Sequence, residues 1–343
     1  MNETTGVLLV NLGTPDSPNP SDVYRYLIEF LTDERVIEGS WLFRQLLVRG
    51  LIVPRRYRQS AKSYSEIWTP EGSPLKVYGY KVKDLLQQHL GESYAVELAM
   101  RYQSPSIPTA LDSFQRKGCN RIIVIPLFPQ YASATTGSVH QKVMETVSSW
   151  HAIPELIFMD SFAAHPAFIR AFSELASPFN LEEYDHILFS FHGLPEKQLV
   201  KADNSGNCCL KTKDCCHAFT EKNRQCYSAQ CYATANAIVK SLELHPEKYS
   251  LSFQSRLGKE PWLQPYTSDV ITKLAKAGKK RVLVFCPSFV CDCLETIHEI
   301  GVEYAAEFKH AGGESLDLVP GLNDHPQWID ALAEFVQTRQ ESH

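Results

Sequence analysis

The sequence predicts an α/β protein made of two doubly wound domains of similar topology. Three observations carry that reading. Short apolar runs rich in Val, Ile, Leu and Phe recur between longer helix-like stretches, the pattern of parallel sheets with crossover helices. At 343 residues the chain exceeds what one hydrophobic core usually organises, so two domains of roughly 150 residues are expected. The runs also match four against four. GVLLVNLGTP at residue 6 and HILFSFHGLP at residue 186 both end in Gly with Pro two positions later, and GCNRIIVIP at 118 and GKKRVLVFC at 278 share Gly, two residues, Arg and an apolar strand.

Taken in order, the expected strands are GVLLVNLG from Gly6, YAVELAMRY from Tyr94, RIIVIPLF from Arg121, ELIFMDSF from Glu155, HILFSFHG from His186, YSLSFQSR from Tyr249, RVLVFCPSF from Arg281 and SLDLVPGL from Ser315. Their aliphatic, β-branched and aromatic residues suit strands covered on both faces. The last stretch, Pro326 to Gln337, has helical period. The expected domains are residues 1–160, then 161–322 with a cysteine-rich insert at 203–231, and a closing segment 323–343 whose helix braces the first domain.

Composition narrows the partners. With 44% hydrophobic and 21% charged residues the chain can fold without staples, and a formal net charge of -5 argues against a nucleic-acid binder. Small molecules are the better expectation. The opening MNETTGVLLVNLGTP lacks the basic and apolar regions of a secretory signal, so a reducing compartment is expected. No stretch reaches the roughly 18 apolar residues that span a bilayer. The nearest, WLFRQLLVRGLIVP from Trp41 to Pro54, is broken by Arg44 and Arg49 and followed by Arg55, Arg56 and Arg58. It reads as a buried helix with basic ends or as a segment lying at a membrane surface.

In doubly wound sheets ligands bind beyond the carboxyl ends of the strands. Those ends carry Asn11, Gly13, Thr14, Arg101, Tyr102, Gln130, Tyr131, His192, Gly193, Gln254, Ser255 and Arg256. His192 follows a buried strand directly, beside a glycine that lets a substrate approach. After the strand ending at Phe289, Asp292, Glu295, Glu299 and Glu303 recur at spacings of three, four and four, which on an α-helix puts them on one face. Such a stripe is either a solvated face or, at a crevice mouth, a route for protons or a divalent cation.

Six thiols crowd the polar stretch from Asn207 to Cys231: Cys208, Cys209, Cys215, Cys216, Cys226 and Cys231. Their spacing leaves zinc and iron–sulfur both open, with iron–sulfur slightly ahead because four thiolates can hold a 2Fe-2S centre. Cys119, Cys286, Cys291 and Cys293 read as buried free thiols.

At this point the motifs SFHGLP, FQSRLGKEPWLQPYT, PQYASATTGS, AMRYQSPS, EGSPLKVYGY and DCLETIHEIGVEY resemble those of ferrochelatase, in the family's order from about residue 6 to 325. The resemblance implies a chelatase-like fold of two Rossmann-like domains with parallel four-stranded sheets, an active-site cleft between them, and insertion of ferrous iron into a porphyrin as the last step of haem synthesis. It implies His192 and Glu295 as the catalytic pair that also meets the substrate iron, and Asp292, Glu299 and Glu303 as an acidic path. Arg101, Tyr131, Ser133, Thr136, Gln254, Ser255 and Trp262 match porphyrin-lining positions. Leu12 stands where relatives acting on coproporphyrin carry tyrosine, so protoporphyrin IX is the expected substrate. The segment 41–53 resembles the family's lip over the pocket, which implies peripheral contact of a cytoplasmic protein with the inner membrane face.

A bacterial subgroup of the family carries a 2Fe-2S cluster on an internal segment after the histidine motif. The implied ligands are Cys209, Cys216, Cys226 and Cys231, with Cys215 as the alternative to Cys216. Competing readings are a sirohydrochlorin or coproporphyrin chelatase and an iron–sulfur redox sensor that binds porphyrin without turnover. The long motif set goes against the first and the presence of both His192 and Glu295 against the second.

Overall fold

A computed structural model describes residues 4–212, 214–258 and 260–341. Residues 1–3, Lys213 in the cysteine segment, Lys259 in the FQSRLGKEPW motif and the last two residues lie outside them. The chain divides into two compact units. One holds the residues up to Phe128, Ser133–Asp160 and those from Ile329 onward; the other holds Pro129–Ala132 and Ser161–Trp328.

The first unit contains β1 (Thr5–Gly13), β2 (Tyr94–Tyr102), β3 (Arg121–Pro126) and β4 (Glu155–Phe158), in the order β2-β1-β3-β4 and all parallel. The central strand is apolar along its length because helices cover both faces: Val7, Leu8, Leu9 and Val10 are fully buried. One face packs Leu8, Val10, Ile122 and Val124 against Leu111 and Phe114 of the helix Ile107–Arg116 and Val139 and Val143 of the helix Ser138–Val147. Ser106 caps the first of these helices, accepting from the Thr109 N–H, and Pro108 fits the first turn, where no backbone donor is missed.

The second unit repeats the plan. Strands β5 (His186–His192), β6 (Tyr249–Gln254), β7 (Arg281–Phe285) and β8 (Ser315–Leu318) run parallel in the order β6-β5-β7-β8. Leu188, Val282 and Val284 pack with Ile271, Ile300 and Phe308. Each of these side chains contributes about 1.5 to 3 kcal/mol on burial, which drives the sheet and its helices together.

Each central strand exits, within its own unit, at a glycine pressed against its neighbour. A Cβ on Gly13 would lie 2.1 Å from the carbonyl oxygen of Tyr102, and one on Gly193 would lie 2.8 Å from that of Gln254. In both units only glycine lets the exit of the central strand press against the backbone of its neighbour.

Two stretches differ from the α-helices their periodicity predicts. The acid-bearing stretch Leu294–Tyr304 is a π-helix, which continues as the α-helix Ala305–His310, and Asp292 lies before it, outside the helix. The apolar stretch forms the helix Trp41–Leu47, a π-helical turn Val48–Ile52 and the helix Val53–Ile67. It is not a buried helix. Trp41, Leu42, Phe43, Leu46 and Leu51 are exposed, while Arg44 is buried and donates to the carbonyls of Thr32 and Gly39 at 2.8 Å each. No helix among the described residues is long and apolar enough to cross a membrane.

Candidate active site

His192 is the last residue of β5 and pairs in register with Gln254, the last residue of β6. Its Nδ1 lies 2.6 Å from the Gly193 carbonyl oxygen. That oxygen can only accept, so Nδ1 carries the hydrogen, which in the neutral tautomer leaves Nε2 as the accepting nitrogen. The loop after the histidine is tied to the PWL segment by backbone hydrogen bonds, Leu263 N–H to Leu194 at 2.9 Å and Glu196 N–H to Pro261 at 3.0 Å. These bonds seat Trp262 beside the histidine, ring centroids 6.4 Å apart, with Phe289, in the loop after β7 of the same unit, at 6.2 Å.

Gln254 is the hub of the site. Its main-chain carbonyl accepts from Gly193 N–H at 2.8 Å, its Oε1 accepts from Ser190 at 2.8 Å, and its Nε2 donates to the Glu295 carbonyl at 2.8 Å and to Glu299 at 3.1 Å. One buried side chain thus connects the strand that carries His192 to the helix that carries Glu295. Glu295 itself is partly buried, and its carboxylate sits beside the Cys293 thiol, where burial first and that carboxylate second push the thiol's pKa up.

The remaining acidic residues have separate surroundings. Glu299 accepts from the Ser255 N–H at 2.8 Å, the Ser255 hydroxyl at 2.5 Å and Tyr304 at 3.1 Å. Asp292 is engaged by Asn323 at 2.7 Å, the Gly321 N–H at 3.1 Å and Thr296 at 3.1 Å. Glu303 is exposed, 3.6 Å from His298. The structure therefore brings His192, Trp262, Gln254, Ser255, Glu295 and Glu299 together, and gives Asp292 and Glu303 different neighbours.

The other sequence candidates are placed as follows. The Tyr131 N–H donates to Gln230 at 2.8 Å. In the first unit Ser133 accepts from Arg35 at 2.8 Å, and Thr136 is fully buried with a hydroxyl that has no partner among the described residues. Arg101 donates to Asp33 at 2.6 Å and to Ser138 at 2.6 Å. Asp33 also accepts from Tyr102 at 2.8 Å and Ser138 at 2.6 Å. Burial pushes the Asp33 carboxyl up, but the hydrogen bonds from Ser138 and the Arg35 N–H and the charge of Arg101 outweigh it, so it sits below its ordinary value.

The ferrochelatase family profile matches residues 4–340, nearly the whole of this twofold α/β chain. The chain belongs to the ferrochelatase family. Ferrochelatase from Azotobacter vinelandii is 45% identical over 333 residues, covering 97% of this chain and 98% of its own. That from Coxiella burnetii is 43% identical over 338 residues, covering 98% and 94%. Among solved structures, SirB from Bacillus subtilis with Fe3+ matches with a TM-score of 0.54 at 13% identity, covering 98% of this chain and 95% of that one, a likeness of fold alone. As a ferrochelatase the chain is an enzyme of haem synthesis that inserts metal into a porphyrin.

The cysteine segment follows β5 in the same unit. The helix Glu196–Ala202 ends at Asp203, whose carboxylate accepts the N–H groups of Cys208 at 2.9 Å and Cys209 at 2.8 Å. The thiol of Cys216 lies 3.5 Å from Cys215 and 3.9 Å from Cys226. Cys208, Cys209, Cys215 and Cys226 line a cavity of about 610 Å³ together with Asp203 and Asn223. Burial pushes the Cys209 thiol up to about 11, and burial holds Cys231 well above its ordinary value. Cys226 is lowered, first by its hydrogen bond with Cys216 and, against the effect of burial, by N–H groups at the start of the helix Tyr227–Ser241. In kind these thiols are the donors an iron–sulfur cluster takes, but among the described residues no group of three or more His, Cys, Asp or Glu is arranged to hold a metal ion.

Sequence reasoning passes over Asp33, Tyr227 and Ser288. Asp33 meets Arg101 from 68 positions away, and no local pattern marks it. Tyr227 had one signal, its place next to a cysteine of the cluster segment.

Proposed function

We propose that this chain inserts ferrous iron into protoporphyrin IX, releasing two protons and forming protohaem. The observation that carries the reading is the Gln254 bridge, which ties the strand ending in His192 to the helix bearing Glu295. The Nε2 of His192 takes a pyrrole proton, and the Glu295 carboxylate offers an oxygen to the incoming iron or takes the second proton. Two protons leave as one doubly charged cation enters, so the porphyrin's charge balances. Glu299, Asp292 and Glu303 supply the acidic path by which protons or cations pass.

Trp262 and Tyr131 offer faces to the macrocycle, and Gln254, Ser255, Ser133 and Thr136 line its pocket. Arg101 shapes the edge. Its charge is already matched by Asp33, so a propionate would meet an ion pair rather than a lone cation. Leu12, in place of a tyrosine, favours protoporphyrin over coproporphyrin. Cys209, Cys216, Cys226 and Cys231, with Cys215 as the alternative to Cys216, hold a 2Fe-2S cluster that supplies one-electron chemistry when bound. No step of metal insertion runs through it. The exposed Trp41, Leu42, Phe43 and Leu46, followed by Arg49, Arg55, Arg56 and Arg58, support peripheral contact of a cytoplasmic enzyme with an anionic membrane face.

The test is anaerobic supply of ferrous iron and protoporphyrin IX to the purified chain. Haem should form, and should not form with His192→Ala; porphyrin binding without turnover in the unaltered chain would overturn the proposal. Iron and acid-labile sulfide in the purified protein, with a visible absorption, are expected for the cluster, and a colourless protein would overturn that part alone.

A further inference from the structure

The residue after Cys226 reaches the active-site histidine. Tyr227 opens the helix Tyr227–Ser241 and is buried. Its hydroxyl donates to the His192 carbonyl at 2.8 Å and lies 3.0 Å from the Ser288 hydroxyl, which accepts from the His192 N–H at 3.4 Å. The tyrosine's single hydrogen is committed to the carbonyl, so Ser288 is the donor to Tyr227. The three bonds close a ring around the peptide groups of His192. Both the N–H and the C=O of that residue are held by it.

The same tyrosine is joined to the thiol segment through the chain itself. Cys226 immediately before it contacts Cys216, which contacts Cys215, and Cys231 lies one turn further along the same helix. Covalent chain continuity leaves Tyr227 little freedom to move apart from the first turn of its helix. Whatever pins Cys226 and Cys216 pins the tyrosine as well.

We infer that Tyr227 is a positioning residue for His192, and that the state of the cysteine segment decides how firmly it holds. The second half rests on the cluster reading above. With Cys216 and Cys226 bound to a common group, the first turn of the helix is fixed at its end. With them free, the tether between Cys226 and Cys216 is a weak thiol contact at 3.9 Å, and helix ends open first. The tyrosine then leaves the His192 carbonyl, the ring opens, and the imidazole loses its aim while Trp262 and the rest of the site stay in place. Turnover should fall without loss of porphyrin affinity, because an orienting partner has gone and not a binding surface.

The experiment uses the full chain with its cluster, the cluster-depleted chain, and the variants Tyr227→Phe and Ser288→Ala. Each is measured for iron and sulfide content, kcat, KM for protoporphyrin, unfolding midpoint, and hydrogen exchange of the peptides containing His192 and Tyr227. Tyr227→Phe should keep its cluster and midpoint, lose kcat on the order of tenfold at unchanged KM, and exchange faster at His192. Ser288→Ala opens the ring from the other side and should do the same if Tyr227→Phe folds poorly. Depleting the cluster should speed exchange at His192 in the unaltered chain and add nothing in Tyr227→Phe. Wild-type kcat in both variants would overturn the positioning role. Unchanged exchange at His192 on depletion would overturn the coupling. A chain purified without iron or sulfide would overturn the cluster reading and the coupling with it, and the two variants would still decide the positioning role.

Discussion

Gln254 Nε2 and the Glu295 carbonyl oxygen are 2.8 Å apart, and the same glutamine's own carbonyl accepts from the residue after His192. The proposed catalytic pair, His192 and Glu295, therefore shares one support. Replacing it by Gln254→Leu keeps the bulk but strips the amide, leaving the Glu295 carbonyl without this donor and Ser190 and Glu299 each short of one bond. We expect kcat to fall about 10-fold to 100-fold and stability to drop by about 1 to 3 kcal/mol. Anaerobic initial rates and a denaturant titration check both, and a variant with full activity would mean that the bridge does not aim the pair.

Asp33 holds Arg101, Tyr102 and Ser138 at once inside the first unit. Asp33→Ala leaves the arginine's charge uncompensated in a mostly buried place, and breaking such a pair costs about 3 kcal/mol. Thermal unfolding should shift well below that of the parent. A shift within error would show that solvent reaches Arg101 freely.

His186 begins β5, its Nε2 2.8 Å from the Ser250 hydroxyl and its Nδ1 buried without a partner among the described residues. Burial first, then the nearby Lys279, pulls its pKa from 6.5 down to about 4. The ring is neutral in the folded chain and takes a proton more readily when unfolded. Its contribution is whole above pH 6.5 and is lost as the pH falls towards 4, a swing of at most about 3 kcal/mol. Urea midpoints across that range should decline in the parent and decline less in His186→Gln.

The exposed apolar face should bind lipid. Trp41→Ser combined with Leu46→Ser should weaken partitioning onto anionic vesicles by at least about tenfold, since each residue contributes more than a kcal/mol of apolar transfer. Sedimentation with vesicles measures this, with haem formation in lipid-free buffer as the control for folding.

Eight strands could be read from the chain because each carries clustered apolar residues, and in the inner strands β1, β3, β5 and β7 these are buried on both faces, which leaves few alternatives. Tyr94, Arg121, Glu155, His186, Tyr249, Arg281 and Ser315 begin strands in the structure as expected. The π-helix at Leu294–Tyr304 was not readable, since the apolar period hardly distinguishes bonds to the fifth residue from bonds to the fourth. His192, Glu295 and Gln254 stood out as strand-end and helix-start residues, whereas their connection did not, because it spans 41 positions of sequence. The Tyr227 ring around His192 fails to show for the same reason: tertiary hydrogen bonds leave no periodic trace.

Leu12 and Gly13 stand at the exit of β1 where His192 and Gly193 stand at the exit of β5, and in both places a Cβ on the glycine would strike the neighbouring strand's carbonyl. The scaffold is written twice along the chain, and the imidazole once. Stoichiometry follows from that asymmetry: a tight inhibitor titrated against activity should reach its end point at about one equivalent per chain, never two, however closely the two corners match.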